Sequence, residues 1–225
     1  MSWLLNIDTA VETASVCLAV DDKCVGVKVN PSQSDHASWL QPAIATLLLE
    51  NNLSLKELDA FAISAGPGSY TGLHVGMATA KGLCYALNIP LIIINTLKIM
   101  AHATNKDISP SQLLSPMLDA RRMEVFTALY DTALNELVAP CAMILEESSF
   151  SKWLNKHEII FFGSGSSKWK NFVQHGNAIF KESFYSPRDI AYISNNEFRQ
   201  HSFSNLAYTE PIYLKDFYAP KKLTG

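Results

Sequence analysis

The chain has 225 residues, which suits one large domain or two small ones. Its 18 basic and 21 acidic residues leave a formal net charge of −3, which argues against a protein that binds nucleic acid over its whole surface. With 48% hydrophobic and 17% charged residues, the chain can bury a sizeable core, and disorder is excluded as its main character.

The first half of the chain is predicted to contain three strands followed by alternating helices and strands. Strands are predicted over 3–7, 14–20, 24–29, 59–65 and 91–94, and helices over 35–51, 70–87 and from 95 or 96 to about 103. The polar stretch 104–111 is the predicted linker to the second half.

The second half repeats this order of three strands and then helix, strand and helix. Strands are predicted over 115–119, 124–130, 135–144 and 158–162, and helices over 147–155 and 166–173. An ordered repeat of this length favours two duplicated α/β units over a solenoid, whose repeats span about 20–50 residues.

Asp8 and Asp119 occupy corresponding positions, each at the end of a first strand and ahead of a hairpin. Ligands of such sheets bind near the carboxyl ends of the strands. One hypothesis is that the two carboxylates face each other across a cleft and hold a metal-bound nucleotide. The alternative is that each aspartate only caps a turn, and the spacing favours neither.

A glycine-rich loop over 66–72 joins a predicted strand to a predicted helix. Free N–H groups at a helix start can bind an anion, and Ser69 or Thr71 can cap this helix. The loop lacks the G-K-[ST] ending of a P-loop and does not match the dinucleotide fingerprint. The residues alone therefore favour a tight structural turn over a phosphate cradle.

The helices predicted over 35–51 and 70–87 are apolar around most of their circumference, which is more than one sheet face requires. Gly72, Gly76 and Ala80 follow at intervals of four, so one side of the second helix admits a close neighbour. These helices either bury each other or present a shared surface to another subunit, and we favour the second hypothesis.

Residues suited to catalysis or metal binding do not assemble in the sequence. There is no H-E-x-x-H motif and no G-x-S-x-G elbow, so no catalytic or metal-binding residue is predicted. The four cysteines include no C-x-x-C pair, and we expect reduced, buried thiols. With no signal peptide and no membrane-length apolar run, the protein is expected to be cytoplasmic.

Four segments of the chain resemble the bacterial TsaB (YeaZ) family of tRNA threonylcarbamoyladenosine biosynthesis proteins. They are Ile7-Asp8-Thr9-Ala10, the glycine block 66–73, the stretch from Leu118-Asp119-Ala120-Arg121 through Glu124-Val125, and Glu210-Pro211-Ile212-Tyr213-Leu214. The resemblance covers the first 130 residues well and the remainder loosely, apart from the last motif. The glycine block and its helix are the specific part.

The resemblance implies a duplicated ribonuclease-H-like, actin-like ATPase (ASKHA) fold with a reduced second lobe. We expect residues 1–104 to form the first lobe, with the partner-binding helices. Residues 105–225 are expected to form the reduced lobe, whose C-terminal segment packs back on the first.

The family resemblance also implies a non-catalytic scaffold that helps to attach a threonylcarbamoyl group to adenosine 37 of tRNA. The catalyst is a paralogue, TsaD, which binds metal through H-x-x-x-H, and Leu40 stands where the second histidine would follow His36. TsaD and the ATPase TsaE are the implied partners, with tRNA contacted through the complex and a homodimer formed when the chain is alone. No cofactor is required, although ATP or ADP at the partner interface is compatible with the family.

Candidate site residues follow from the residues and the resemblance together. The candidate nucleotide-binding residues are Asp8, Thr9, Ser69 and Asp119. The candidate partner-binding residues are Leu40, Ile44, Leu47, Gly72, Leu73, Gly76, Met77 and Ala80. One departure is His74, because the family usually has arginine there.

Two other classes of function stay open. The chain could be a small ATPase or kinase in its own right, using Asp8 and Asp119 around magnesium. A peptidase is the third hypothesis, and no zinc ligand set or nucleophile in the sequence supports it.

Overall fold

A computed structural model describes residues 1–32 and 35–215, apart from the side chain of Asp107. Within these residues the chain forms ten strands and six α-helices. The strands are β1 (Trp3–Asp8), β2 (Ala14–Val20), β3 (Lys23–Asn30), β4 (Ala60–Gly66), β5 (Leu91–Asn95), β6 (Leu113–Asp119), β7 (Glu124–Tyr130), β8 (Glu136–Ile144), β9 (Ile159–Phe162) and β10 (Ala178–Phe180). The helices are α1 (His36–Glu50), α2 (Tyr70–Leu87), α3 (Thr96–Thr104), α4 (Ser151–Leu154), α5 (Ser166–Lys170) and α6 (Pro187–Arg199).

The first sheet has the strand order β3-β2-β1-β4-β5. Strand β1 runs antiparallel to β2 and parallel to β4, which in turn runs parallel to β5. Successive side chains of a strand point to opposite faces, so each face has its own cluster. Leu5 and Ile7 pack with α1 and α2, whereas Leu4 packs with Ile190 and Ile193 of α6.

The second sheet repeats that topology, with the order β8-β7-β6-β9-β10. Strand β6 again runs antiparallel to the next strand, β7, and parallel to β9. The helices differ in length, because α4 has 4 residues and α5 has 5, against 15 in α1 and 18 in α2. The second half is therefore a shortened copy of the first.

Helix α3 lies between the two sheets. Its Leu97 and Met100 pack into the cluster that contains Leu114 and Ile160 of the second sheet, while Ile99 packs with the first sheet. The polar stretch after α3 is not a free linker, since it continues as a 3₁₀ turn over Asn105–Asp107. In the described part of the chain, no helix combines the length and apolarity needed to cross a membrane.

The sequence prediction missed two elements and overestimated two others. Strand β10 and helix α6 were not predicted, and the helices expected over 147–155 and 166–173 are limited to α4 and α5. Helix α6 packs on the first sheet although it follows the second in sequence. The domain boundary at 104/105 stays a prediction, and residues 216–225 of the expected second lobe lie outside the described residues.

Candidate functional site

A cleft of about 910 Å³ lies where the carboxyl ends of β1 and β6 approach each other. Asp8 and Asp119 both line it, together with Ser69 of the glycine loop and the segment 181–185. The duplicated topology explains this, since equivalent strand ends of two similar lobes meet across one gap. The structure thus brings the two predicted aspartates to one cleft.

Asp8 is buried, and its carboxyl group is occupied by the chain itself. Oδ1 accepts hydrogen bonds from the Ser64 hydroxyl and from the Ala10 N–H at 2.9 Å. Oδ2 accepts one from the Tyr185 hydroxyl at 2.7 Å. Burial raises the pKa of Asp8, although the hydrogen bonds from Ser64, Ala10 and Tyr185 oppose the shift. Its carboxyl oxygens are therefore engaged before any ligand arrives.

Asp119 has the opposite environment, because its side chain is exposed and paired with a cation. Its Oδ1 accepts from Lys168 Nζ at 2.6 Å and from the Arg121 N–H at 2.6 Å. The hydrogen bond from Lys168 lowers the pKa of Asp119. Its own N–H donates to Ser164 Oγ at 3.1 Å. Lys168 therefore compensates the negative charge of Asp119 at the cleft.

Thr9 follows Asp8 and fastens β1 to α2. Its buried hydroxyl donates to the Gly72 carbonyl at 2.7 Å. A Cβ at Gly72 would lie 2.0 Å from the Thr9 carbonyl oxygen, and one at Gly76 would lie 2.4 Å from Thr9 Oγ1. Gly72 and Gly76 therefore leave room for Thr9 of the same chain, and the close neighbour expected for that side of the helix is internal.

Ser69 lines the cleft and caps α2. Its hydroxyl accepts from the Gly72 N–H at 3.3 Å, and its own N–H donates to the Ala10 carbonyl at 2.6 Å. A Cβ at Gly68 would lie 2.2 Å from that same carbonyl oxygen. The loop is thus tightly bound to the end of β1, in agreement with the structural-turn interpretation.

The motif at 210–214 crosses the glycine loop, and we name residues 209–214 the C-terminal strap. The Ile212 N–H donates to the Ala65 carbonyl at 2.7 Å. A Cβ at Gly66, whose φ is +118°, would lie 2.6 Å from the Ile212 carbonyl oxygen. The Tyr213 hydroxyl lies 3.1 Å from the ring nitrogens of His74. Two sequence motifs far apart in the chain therefore form one structural unit.

His74 belongs to this unit and not to the cleft. Its Nδ1 lies 2.8 Å from the Tyr70 carbonyl, and its ring lies 4.3 Å from the Tyr70 ring. An open groove of about 470 Å³ separates this part of α2 from the strap, where Lys81 donates to the Thr209 carbonyl at 2.8 Å. His74, where the resemblance leads us to expect arginine, therefore faces the strap.

The eight residues predicted to bind a partner are all buried within this chain: Leu40, Ile44, Leu47, Gly72, Leu73, Gly76, Met77 and Ala80. Most of them pack beneath the helices on the first sheet. These residues therefore lie beneath the surface of this chain, and their role in partner binding stays a prediction. Among the exposed residues of the same helices, we name the following ten the outer face: Ala37, Gln41, Pro42, Ala45, Thr46, Leu49, Ala78, Gly82, Tyr85 and Ala86.

Comparison with known proteins then identifies the family. Residues 19–223 match a family model described as TsaD, tRNA N6-adenosine threonylcarbamoyltransferase. The chain belongs to this family. Among curated relatives, the tRNA threonylcarbamoyladenosine biosynthesis protein TsaB of Bacillus subtilis is 29% identical over 76% of this chain and 75% of the relative. TsaB of Escherichia coli is 26% identical over 99% of this chain and 98% of the relative.

These relatives confirm the resemblance to the TsaB (YeaZ) group within the family. Membership implies a role in the biosynthesis of threonylcarbamoyladenosine in tRNA. Among the described residues, no three His, Cys, Asp or Glu side chains lie close enough together to hold a metal ion.

Solved structures confirm the predicted fold. YeaZ from Pseudomonas aeruginosa has a TM-score of 0.79 at 23% identity, over 95% of this chain and all of the other. A second Pseudomonas aeruginosa protein, described as similar to peptidase YEAZ, has a TM-score of 0.83 at 22% identity, over 96% of this chain and all of the other. With the repeated strand order, they establish the duplicated, actin-like ATPase fold with a reduced second lobe.

Proposed function

We propose that this chain is a non-catalytic scaffold subunit of the machinery that attaches threonylcarbamoyl to adenosine 37 of tRNA. It dimerises with TsaD through the outer face of α1 and α2, and TsaE joins the pair. Contact with tRNA is then indirect, which is consistent with a net charge of −3. The observation that carries the proposal is the apolar, exposed character of the outer face.

The outer face has almost no free charge. Apart from histidines, Glu50 and Lys81 are the charged residues of α1 and α2. Glu50 is paired with Lys28 at 2.6 Å, and Lys81 donates to the Thr209 carbonyl of the strap. By contrast, Leu49 is 77% exposed and Tyr85 is 82% exposed. Large apolar side chains that share an uncharged exposed face are typical of an interaction surface.

Gly82 gives a second, independent argument for a partner at this face. Apart from its chain neighbours and the nearby backbone of its own helix, a Cβ at Gly82 would meet no heavy atom of the described residues within 4 Å. A glycine inside a helix costs about 1 kcal/mol relative to alanine, and packing inside this chain does not explain it. A gap beside Ala78 and Ala86 suits the close approach of a helix from another molecule.

The cleft geometry supports the non-catalytic part of the proposal. A carboxylate that binds magnesium needs free oxygen lone pairs, whereas three of the about four acceptor positions of Asp8 already take hydrogen bonds from its own chain. Asp119 is already neutralised by Lys168. Any ATP or ADP bound at the partner interface is an addition that the scaffold role does not require.

The decisive experiment mixes the chain with TsaD and TsaE and measures both TsaD binding and modified tRNA. Leu49→Lys and Tyr85→Glu place charges on the outer face, and each is expected to weaken TsaD binding by about tenfold or more and to reduce modified tRNA. Ile144→Lys, at a position that is 65% exposed on β8 of the second sheet, is the matched control and is expected to behave as wild type. Undiminished TsaD binding by both outer-face variants would exclude this face as the interface.

Without TsaD, the same face is expected to pair two copies of the chain with two-fold symmetry. Light scattering over a range of concentrations checks this, and Tyr85→Glu should shift the equilibrium to monomer. Adding TsaD should replace the homodimer with a mixed dimer. A homodimer that persists unchanged beside bound TsaD would show that the two interfaces differ.

The alternative function is a small ATPase or kinase that acts alone, and the cleft lined by Asp8 and Asp119 is the observation in its favour. Purified chain that turns over ATP, with turnover lost in Asp8→Asn, would support it. The scaffold proposal instead expects no turnover by the isolated chain, and the tRNA assay above separates the two functions.

A further inference from the structure

Cys17 and Cys24 form a close pair on the first sheet, under helix α6. Their sulfur atoms lie 2.8 Å apart. Cys17 lies in β2 and Cys24 in β3, and the pairing of these strands shifts between Leu18 and Ala19, where Leu18 faces Gly26 and Ala19 faces Cys24. The irregularity leaves Val25 unpaired and brings Cys24 to the side on which Cys17 and Ala191 pack.

The two thiols are chemically different. Cys17 is 1% exposed, whereas Cys24 is only partly buried. The hydrogen bond that Cys17 donates lowers the pKa of Cys24 to about 7, and the charge of Arg188 at the start of α6 adds to the effect while burial opposes it. That same hydrogen bond, with burial, raises the pKa of Cys17. Cys24 is therefore the accessible nucleophile, and Cys17 is a second thiol within reach of it.

The other two cysteines lack such a partner sulfur among the described residues and serve as internal references. Burial raises the pKa of Cys84 to about 11 and also raises the pKa of Cys141. Thiols with raised pKa values contain little thiolate near neutral pH and react slowly with oxidants. Among the four cysteines, Cys17 and Cys24 on β2 and β3 are therefore the pair suited to react with an oxidant.

We propose that Cys17 and Cys24 are a redox-active dithiol that a hydroperoxide converts reversibly into a disulfide. The Cys24 thiolate attacks the terminal peroxide oxygen, which gives a sulfenic acid and releases an alcohol, or water when the oxidant is hydrogen peroxide. The Cys17 sulfur then attacks the sulfenic sulfur, and the hydroxyl leaves with a proton as water. Two thiols and one hydroperoxide thus yield one disulfide, one alcohol and one water, and a thiol reductant reverses the change.

Trypsin digestion of the oxidised protein tests the proposal directly. The full chain is treated with hydrogen peroxide, its remaining thiols are alkylated, and it is digested under non-reducing conditions. Cleavage after Lys23 separates peptide 1–23, which contains Cys17, from peptide 24–28, which contains Cys24. Mass spectrometry is expected to find these two peptides joined, and to find them apart after treatment with a phosphine reductant. Cys84 and Cys141 are expected to carry the alkyl group.

Two variants sharpen the test. Cys24→Ser should leave Cys17 reduced and alkylatable after peroxide, whereas Cys141→Ser should form the linked peptides as wild type does. The proposal is overturned if the two wild-type peptides are recovered separately under oxidising conditions. It is also overturned if Cys24 proceeds to sulfinic acid without linkage, or if the disulfide found joins Cys24 to another chain.

Discussion

Helices α1 and α2 each have two apolar sides, and the two sides differ in what they contact. The inner side packs on the first sheet, where Leu40 is fully buried and Thr9 packs closely against Gly76. The outer side is exposed, and there Leu49 is 77% accessible and Gly82 faces open space among the described residues. The apolar residues around these helices thus have two separate explanations: one side packs on the first sheet, and the other side is available to a partner.

The same contrast shows that substitutions at Gly76 and at Gly82 of α2 test different things. A bulky residue at Gly76 would displace Thr9 and disturb the junction of β1 and α2. Lost partner binding in such a variant would report damage to the fold. A substitution at Gly82 can instead test partner binding without disturbing the fold, because a Cβ there has open space.

The largest difference between the two sides is expected for leucine truncation. Leu40→Ala leaves a cavity against the first sheet and should lower the free energy of unfolding by about 2–5 kcal/mol. Leu49→Ala on the same helix should change it by about 0.5 kcal/mol or less, because the side chain is mostly solvated. Urea unfolding followed by circular dichroism measures both. Equal losses for the two variants would contradict the division into inner and outer sides.

Glycine substitution should give opposite signs on the two sides. In Gly76→Ala the new methyl group would lie 2.4 Å from Thr9 Oγ1 and 2.9 Å from Ile63 Cδ1, so a loss of about 1–3 kcal/mol is expected. In Gly82→Ala the methyl group meets no described atom, and the lower entropy of the unfolded chain should add about 0.4–1 kcal/mol. The same urea titrations provide the measurement. A destabilised Gly82→Ala variant would show that this position is not open.

Local sequence signals predicted much of the first sheet and its two covering helices. Their apolar runs end at turn residues, and bounds such as Ala14–Val20 and Tyr70–Leu87 follow from where those runs begin and end. Helix α6 was missed because much of it is polar, although Ser186 and Asp189 form a capping box around Pro187. That start signal was present in the sequence and could have located the helix.

The site was less accessible to sequence reasoning because its contacts join distant parts of the chain. Placing Asp8 and Asp119 at one cleft required only the repeat, which is visible in the sequence. The burial of Asp8 beneath Tyr185, 177 residues later, depends on how the chain returns to the first sheet. The strap contact between Ile212 and Ala65 likewise follows from topology, which local pattern does not encode.

The two aspartates of the cleft show the same contrast, because Asp8 is enclosed and Asp119 is exposed. Their contributions to the free energy of unfolding should therefore change with pH in opposite directions. Burial raises the folded-state pKa of Asp8 above its ordinary value of 3.8, so the native state binds the proton more tightly than the unfolded state. Wild-type stability relative to Asp8→Asn should therefore be greatest below pH 3.8 and fall as the pH rises towards the folded-state pKa.

Lys168 lowers the folded-state pKa of Asp119 below 3.8, so its contribution is present above that value and is lost as the pH falls through the folded-state pKa. The effect should be small, because the Asp119 side chain is 46% exposed and solvent screens the pair. Urea titrations of wild type, Asp8→Asn and Asp119→Asn at a series of acidic to neutral pH values measure both slopes. If both contributions to the free energy of unfolding changed with pH in the same direction, Asp8 would be as well solvated as Asp119. The burial of Asp8 beside Ser64 and Tyr185 would then be contradicted.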